Sequence, residues 1–363
     1  MIRKIHQRVF RHPMASKGEF TMAQKWIYRL EELRSKHNDL VGKKCANLGE
    51  MVHMGMRVPP GFAISVDGCE RFMNETGAGE DIRKYAEEAG DSIHKIEKQV
   101  EAGRIIRGII EGRDMPEGMK HDLYAFYDEL CETVGHPDVA VATRSSGAVS
   151  MPGQMETYLN VKGKRELLKK IIKVWGSAFT TRAIAFRLEK GMEMSKAPIG
   201  VAVLKMVNAR SAGVTLTVQP TTGDLTKAVV EGNWGLGESV VSGEVTPDSF
   251  LVDKTSGSVV SSTISNKPRM VVYKKDGIGM VSVPVEKQDC PCIDERELGE
   301  IVRIALDVES YFDMPQDMEW VFDADMNFPE NLFWVQTRPA KFSKKKEDDS
   351  EYLAELMTRV FKM

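Results

Sequence analysis

The sequence predicts an α+β chain of two lobes, built on antiparallel sheets, with a helical insertion in the first lobe. Three stretches carry that reading. Residues 317–340, DMEWVFDADMNFPENLFWVQTRPA, alternate apolar and polar on both sides of a Pro/Asn-rich turn, the pattern of a β-hairpin. Residues 199–254 hold β-rich runs (VAVLKMV, AGVTLTV, KAVVEGNW, DSFLVDK) separated by turns. Residues 69–136 are polar and helix-patterned, with Gly, Asp and Pro breaks.

At 363 residues the chain is long for one simple domain, which favours two lobes. Fifty Lys and Arg against 53 Asp and Glu give a net charge of −3, so nothing in the overall balance points to nucleic acid. No apolar run approaches the ~20 residues of a membrane span, and the basic N-terminus has no apolar h-region. Five cysteines, an odd number, suit a reducing compartment, so a cytoplasmic protein is expected. The expected divisions are a leader over 1–25, a first lobe with its helical insertion over 26–200, a second lobe over 201–342, and a charged linker with a tail helix over 343–363.

Taken in order, QKWIYRLEELRSKH reads as a short helix. Val41-Gly42 then makes a turn, Ala46 to His53 a helix, and Pro59-Pro60-Gly61 breaks into a strand. Lys43 and Lys44 sit at that helix start, where backbone N–H groups and a cation meet an anion. The alternative is a pair of solvated surface lysines, and no G-x-x-x-x-G-K-[ST] phosphate loop occurs in the chain. In VATRSSGAVSMPGQMETYLNV (141–161) an apolar strand delivers Arg144, a Ser/Gly loop follows, and a second strand closes. That arrangement suits a backbone covering phosphates, or a simple hairpin. Residues 167–191 read as one helix with Trp175, Phe179 and Phe186 on its core face and Arg182 and Arg187 along it. A second helix is expected over 294–311.

In the hairpin, Met318, Trp320 and Phe322 point one way and Asp317, Glu319 and Val321 the other; beyond the turn, simple alternation puts Leu332, Trp334, Gln336 and Arg338 on one face. Pairing the strands sets two carboxylates, an amide and a guanidinium side by side. Hard oxygen ligands beside a planar cation suit Mg²⁺ and a polyphosphate. Taken alone, a half-exposed hairpin with a surface ion pair fits equally well.

Eight blocks in order (VGKKCANLGEM, VPPGF, VATRSSGAVSMPGQMETYLNV, FTTRAIAFR, VAVLKMV, EGNWGLGESVVSGEVTPDSF, DMEW and VQTRP) give the chain a family resemblance. From about residue 39 to 340 it resembles the N-terminal, nucleotide-binding ATP-grasp domain of the pyruvate phosphate dikinase and phosphoenolpyruvate synthase family, to which rifampicin phosphotransferase and phenylphosphate synthase also belong. The resemblance implies a two-lobed ATP-grasp fold, with ATP and Mg²⁺ as cofactors. It implies that Lys44 reaches the ATP phosphates and that Arg144 binds them before a mobile loop. It gives Lys205, Met206 and Val207 the adenine, through their backbone, and Glu238 the ribose end. Asp317 and Glu319 match the acidic pair associated with Mg²⁺, while Gln336 and Arg338 complete the metal and phosphate site. Lys44, Arg144 and Arg338 are then the catalytic set, and Asp317, Glu319 and Gln336 the metal set. FDADMNFPEN makes the turn between Glu319 and Gln336 longer than the family's usual spacing.

Such proteins pass phosphate from ATP to a histidine on a swivelling domain and then to a final acceptor. All seven histidines here lie at or before His136, so the expected partner is a separate subunit carrying the phosphohistidine domain. The resemblance to the ATP-binding subunit of phenylphosphate synthase makes phenol a candidate acceptor; a split phosphoenolpyruvate synthase, acting on pyruvate, leaves the same trace. The alternatives are a regulatory subunit that holds ATP without turnover and a direct ATP-grasp kinase or ligase giving ADP.

Overall fold

Strands buried on both faces appear in sequence as unbroken apolar runs, and GFAI and IGVAVLK are two of these. The computed structural model describes residues 25–342 apart from 149–154, 192, 195, 197, 242, 244, 275 and 276. The expected leader, the Ser150–Gly153 part of the small-residue loop, and the charged linker and tail fall outside the described residues.

In chain order the elements are β1 (Ile27–Arg29), α1 (Asn38–His53), β2 (Gly61–Ile64), α2 (Val66–Glu75), α3 (Ala78–Ala89), α4 (Ile96–Glu111), α5 (Glu117–Val134), β3 (Val141–Gly147) and β4 (Thr157–Val161). Then come α6 (Lys164–Gly176), α7 (Thr181–Glu189), β5 (Ile199–Lys205), β6 (Ala209–Leu216), β7 (Lys227–Trp234), α8 (Glu238–Val241), β8 (Asp248–Asp253), β9 (Val259–Thr263), β10 (Arg269–Tyr273), β11 (Ile278–Ser282), α9 (Val285–Gln288), α10 (Glu295–Phe312), β12 (Gln316–Asp323) and β13 (Leu332–Pro339). The first sheet runs β1-β2-β5-β3-β4 and the second β13-β12-β6-β7-β8-β9, with β10-β11 a separate ribbon. The paired strands are antiparallel, as expected.

The first sheet is covered on both faces. Phe62, Ile64, Val201 and Val203 pack into the core made with α2–α7, while Ala63, Ala202 and Leu204 face α1. That second core runs on through Trp320, Phe322, Leu332 and Trp334 of the second sheet to Ile301, Ala305 and Val308 of α10. The two lobes therefore share one core, with α1 between them. Trp320 fits because the registered pair Gly213 and Gly232 leaves its ring room; a Cβ on either would lie within 2.8 Å of it.

Some expectations are corrected. The helix expected from QKWIYRLEELRSKH does not form over residues 25–37: Ile27–Arg29 pairs with β2, and short 3₁₀ turns follow. Tertiary pairing overrides the helix-like pattern there. The helix expected over 167–191 is two, because Thr180 is extended and its side chain caps Ala183 N–H to start a new helix. Arg187 is the inward arginine, its guanidinium 4.7 Å from the Phe179 ring centre, and Arg182 is exposed. VAVLKMV, expected in the second lobe, supplies β5 of the first sheet, so the chain changes sheets after Lys205 and not at 200/201.

Candidate functional site

Backbone that turns sharply into a helix brings Lys44 into the cleft between the sheets. Gly42 takes φ 76° and ψ 160°, a conformation essentially open only to glycine, so the helix begins afresh at Lys43. A Cβ on Gly42 would stand 2.0 Å from the Ser146 carbonyl oxygen, so the glycine also allows this turn to lie against β3. Cys45 N–H donates to Ser146 Oγ (3.0 Å) and Lys44 Nζ to the Ser145 carbonyl (2.9 Å). Asn47, one turn on, donates to the Thr337 carbonyl at 2.8 Å and so ties α1 to β13.

The hairpin delivers its polar residues through a bulge. Asp317 pairs with Arg338 and Glu319 with Gln336, but Trp320 pairs with Trp334, which leaves Val335 as an extra residue. Simple alternation would put Trp334, Gln336 and Arg338 on one face. The bulge reverses the face after Trp334, so Trp334 enters the core while Gln336 and Arg338 join Glu319 and Asp317 on the cleft side. It also exposes the Val335 carbonyl to Arg144 Nη1, which donates to it at 2.9 Å. Arg144 reaches across from β3: its Nη2 donates to Glu319 Oε2 at 2.7 Å and to Gln336 Oε1 at 3.3 Å. Gln336 Nε2 in turn donates to Glu319 Oε1 at 2.8 Å. Arg338 donates to Asp317 Oδ2 through Nε at 2.9 Å.

The cleft has a volume of about 480 Å³, within the ~300–1,000 Å³ usual for small-molecule sites. Of the residues singled out in the sequence, Lys44, Arg144, Lys205, Met206, Val207, Glu238, Glu319, Gln336 and Arg338 all line it; Asp317 lies beside it, behind Arg338. Sequence reading missed Asn47, Thr337 and Pro59 as lining residues, and the Tyr273 hydroxyl that donates to the Val207 carbonyl. Asn47 sits one helical turn past Lys44, a spacing that could have revealed it.

Among the described lining residues there are five basic side chains (Lys43, Lys44, Arg144, Lys205 and Arg338) and two acidic ones (Glu238 and Glu319). Burial and the neighbouring charge of Arg144 push Lys44 down to about 7, against a smaller opposing pull from Glu319. Burial pushes Glu319 up, but the charge and hydrogen bond of Arg144 more than offset it and hold the carboxyl below its ordinary range. Asp317 goes the other way, raised because burial outweighs the pull of Arg338. An excess of cations facing a shared space, one of them lowered by burial and by a neighbouring like charge, is complementary to a polyanion. Asp317, Glu319 and the Gln336 amide oxygen share one face as hard donors, but among the described residues no group of three or more His, Cys, Asp or Glu could hold a metal unaided. Hard oxygen donors of this kind are the ones Mg²⁺ takes. No helix among the described residues is long and apolar enough to cross a membrane.

The family described as pyruvate phosphate dikinase, AMP/ATP-binding domain, matches residues 38–357. Among curated relatives, the chain is 35% identical over 343 residues to a Methanocaldococcus jannaschii protein named "Probable phosphoenolpyruvate synthase", covering 91% of this chain and 28% of that one. It is 34% identical to the phosphoenolpyruvate synthase of Aeropyrum pernix, covering 91% of this chain and 44% of the relative. With that of Pyrococcus furiosus the figures are 32%, 88% and 44%. The chain thus spans less than half the length of each of these relatives.

Proposed function

The chain belongs to the pyruvate phosphate dikinase AMP/ATP-binding domain family, and on that premise we propose that it is the ATP-binding catalytic unit of a dikinase-type phosphotransferase. In this reading Mg·ATP lies in the cleft with its adenine against Lys205–Val207, its ribose near Glu238 and its phosphates among Lys44, Arg144 and Arg338. The observation that carries the reading is the convergence of those three cations from α1, β3 and β13 on one cleft. Asp317, Glu319 and Gln336 would hold Mg²⁺, which would supply positive charge against the negative charge that builds during transfer. Lys44, Arg144 and Arg338 orient the phosphates and spread their charge, and the bulge and the Asn47–Thr337 contact fix them in place before substrate arrives.

The β-phosphoryl then passes to a histidine on a separate subunit. The bond between the α- and β-phosphates breaks to release AMP as the histidine nitrogen bonds the β-phosphorus, and water takes the γ-phosphoryl to release phosphate. No described residue lining the cleft is a histidine, so a histidine acceptor would enter from outside it. The final acceptor is pyruvate or phenol; the relatives' printed name, phosphoenolpyruvate synthase, favours pyruvate. The cysteines are free, four of them buried, which supports a reducing, cytoplasmic setting.

The test is ATP labelled at the β-phosphate, incubated with the chain, Mg²⁺ and an extract of its native cells. Acid-labile, base-stable label on a different polypeptide, with AMP formed, is the expected result. ADP with no labelled protein would replace this reading by a direct kinase or ligase, and ATP bound without turnover by a regulatory subunit.

A further inference from the structure

The connection between the two sheets carries a hydrogen-bonding edge whose pattern is set by two residues outside it. Lys205 stands opposite Pro60, one step beyond the Gly61–Leu204 pair of the β2–β5 ladder. In a hydrogen-bonded antiparallel pair each residue donates its N–H to the other's carbonyl. Lys205 N–H does donate to the Pro60 carbonyl, at 2.7 Å. Proline has no N–H to return, so the Lys205 carbonyl lacks its ladder partner, and among the described residues nothing else donates to it.

Backbone groups of alternate residues in an extended strand point the same way, and Met206 N–H duly turns to the opposite neighbour, the Ala140 carbonyl, at 2.8 Å. Continuing the alternation, Val207 N–H comes to the side of the Lys205 carbonyl, and it too has no acceptor among the described residues. The Val207 carbonyl beside it is already in use, one of its two lone pairs taken by the Tyr273 hydroxyl. Tyr273 is held in turn by its ribbon: the Asn160 side chain of β4 donates to the carbonyls of Lys274 (2.8 Å) and Gly277 (2.6 Å). Along this edge, whose residues line the cleft, the order is an open acceptor, an open donor and an acceptor already in use.

We propose that Pro60 and Tyr273 determine the purine selectivity of this site, an inference that rests on the Mg·ATP reading above. Adenine presents its N6 amino donor beside the N1 acceptor, which matches the Lys205 carbonyl and the Val207 N–H. Guanine in that register sets O6 against a carbonyl and N1–H against an N–H. Moved one step along, guanine would match, O6 to Val207 N–H and N1–H to the Val207 carbonyl, but there it has to share that carbonyl with the Tyr273 hydroxyl. Pro60 thus opens the adenine register and Tyr273 handicaps the guanine register. A site that leaves buried polar groups unpaired against the wrong ligand discriminates strongly.

The experiment is calorimetric titration of the full chain with Mg·ATP and with Mg·GTP, in the wild type and in Tyr273→Phe and Pro60→Ala. Wild type is expected to prefer ATP. Tyr273→Phe should raise GTP affinity relative to ATP by about tenfold, the worth of one hydrogen bond made available. Pro60→Ala returns an N–H to the Lys205 carbonyl and should weaken ATP severalfold while sparing GTP. Both variants shifting the two nucleotides in parallel, or neither variant shifting the ratio, would overturn the proposal. A wild type that binds neither nucleotide would overturn the underlying Mg·ATP reading and this inference with it.

Discussion

Lys44 is the residue whose state depends most on what fills the cleft. Held near 7 by burial and by Arg144, it is largely neutral in the free protein at pH 8. A bound polyphosphate supplies the missing counter-charge and raises it, so the lysine must take up a proton on binding. The sign follows: Mg·ATP affinity should fall as pH rises above about 7, by up to about tenfold per pH unit if one whole proton is linked. Titrations at pH 8 in buffers of different ionisation heat should show this uptake, and Lys44→Gln should abolish it. Binding that is proton-neutral at pH 8 would remove Lys44 from the phosphate site. The side-chain inventory proposed here rests on VGKK, ATRSS, DMEW and VQTRP taken together through the family resemblance, since each block alone also fits a surface role. Tyr273 was not readable, since its one function-bearing contact is to a backbone carbonyl 66 positions away.

At the scale of elements, two local departures from regularity build the site. One is the Gly42 turn, legible in sequence as Val41-Gly42. A side chain there meets both a forbidden conformation and the Ser146 backbone, so Gly42→Ala should cost at least about 3 kcal/mol and lower the thermal midpoint sharply; a midpoint within a degree of wild type would show that β3 gives way more easily than its packing implies. The other departure is the Val335 bulge, which strict alternation hid. The pattern correctly placed Trp320 against Glu319, but an extra residue in one strand leaves no mark on the composition of either. Similarly, IGVAVLK was legible as a strand but not as part of the first sheet, though its unbroken apolar run already implied two buried faces. FTTR held a capping threonine that divides the helix expected over 167–191.

Over the whole molecule, the lobes are joined by the shared core, by Arg144 reaching the hairpin, and by a network around Glu50. This carboxylate, nearly buried on α1, accepts from Ser35 N–H (2.7 Å), from Ser35 Oγ (2.6 Å) and from Arg34 (3.3 Å), as well as from Tyr311 on α10. Burial alone would raise it, but these hydrogen bonds hold it at about 2. A carboxyl lowered in the folded state contributes stability above its ordinary pKa, and loses it as pH falls toward the folded value. The contribution should therefore fade between about pH 4.5 and 2, and melts of Glu50→Gln across that range should lie closer to wild type at the acid end than at pH 7. Equal differences at both ends would mean the network is not electrostatic. Two lobes of antiparallel strands with a helical insertion were legible from periodicity alone; where the chain crosses between sheets was not, because that is decided by pairing between distant strands.

Equilibrium binding of Mg·ATP and AMP to the wild type and to Arg144→Gln tests most directly whether the cleft holds a polyphosphate by its cations from both lobes. Losing a charge-assisted contact to the phosphates should weaken Mg·ATP by roughly 10- to 100-fold. AMP, which lacks the outer phosphates, should change little. Mg·ATP bound as tightly by Arg144→Gln as by the wild type would contradict that mode of binding.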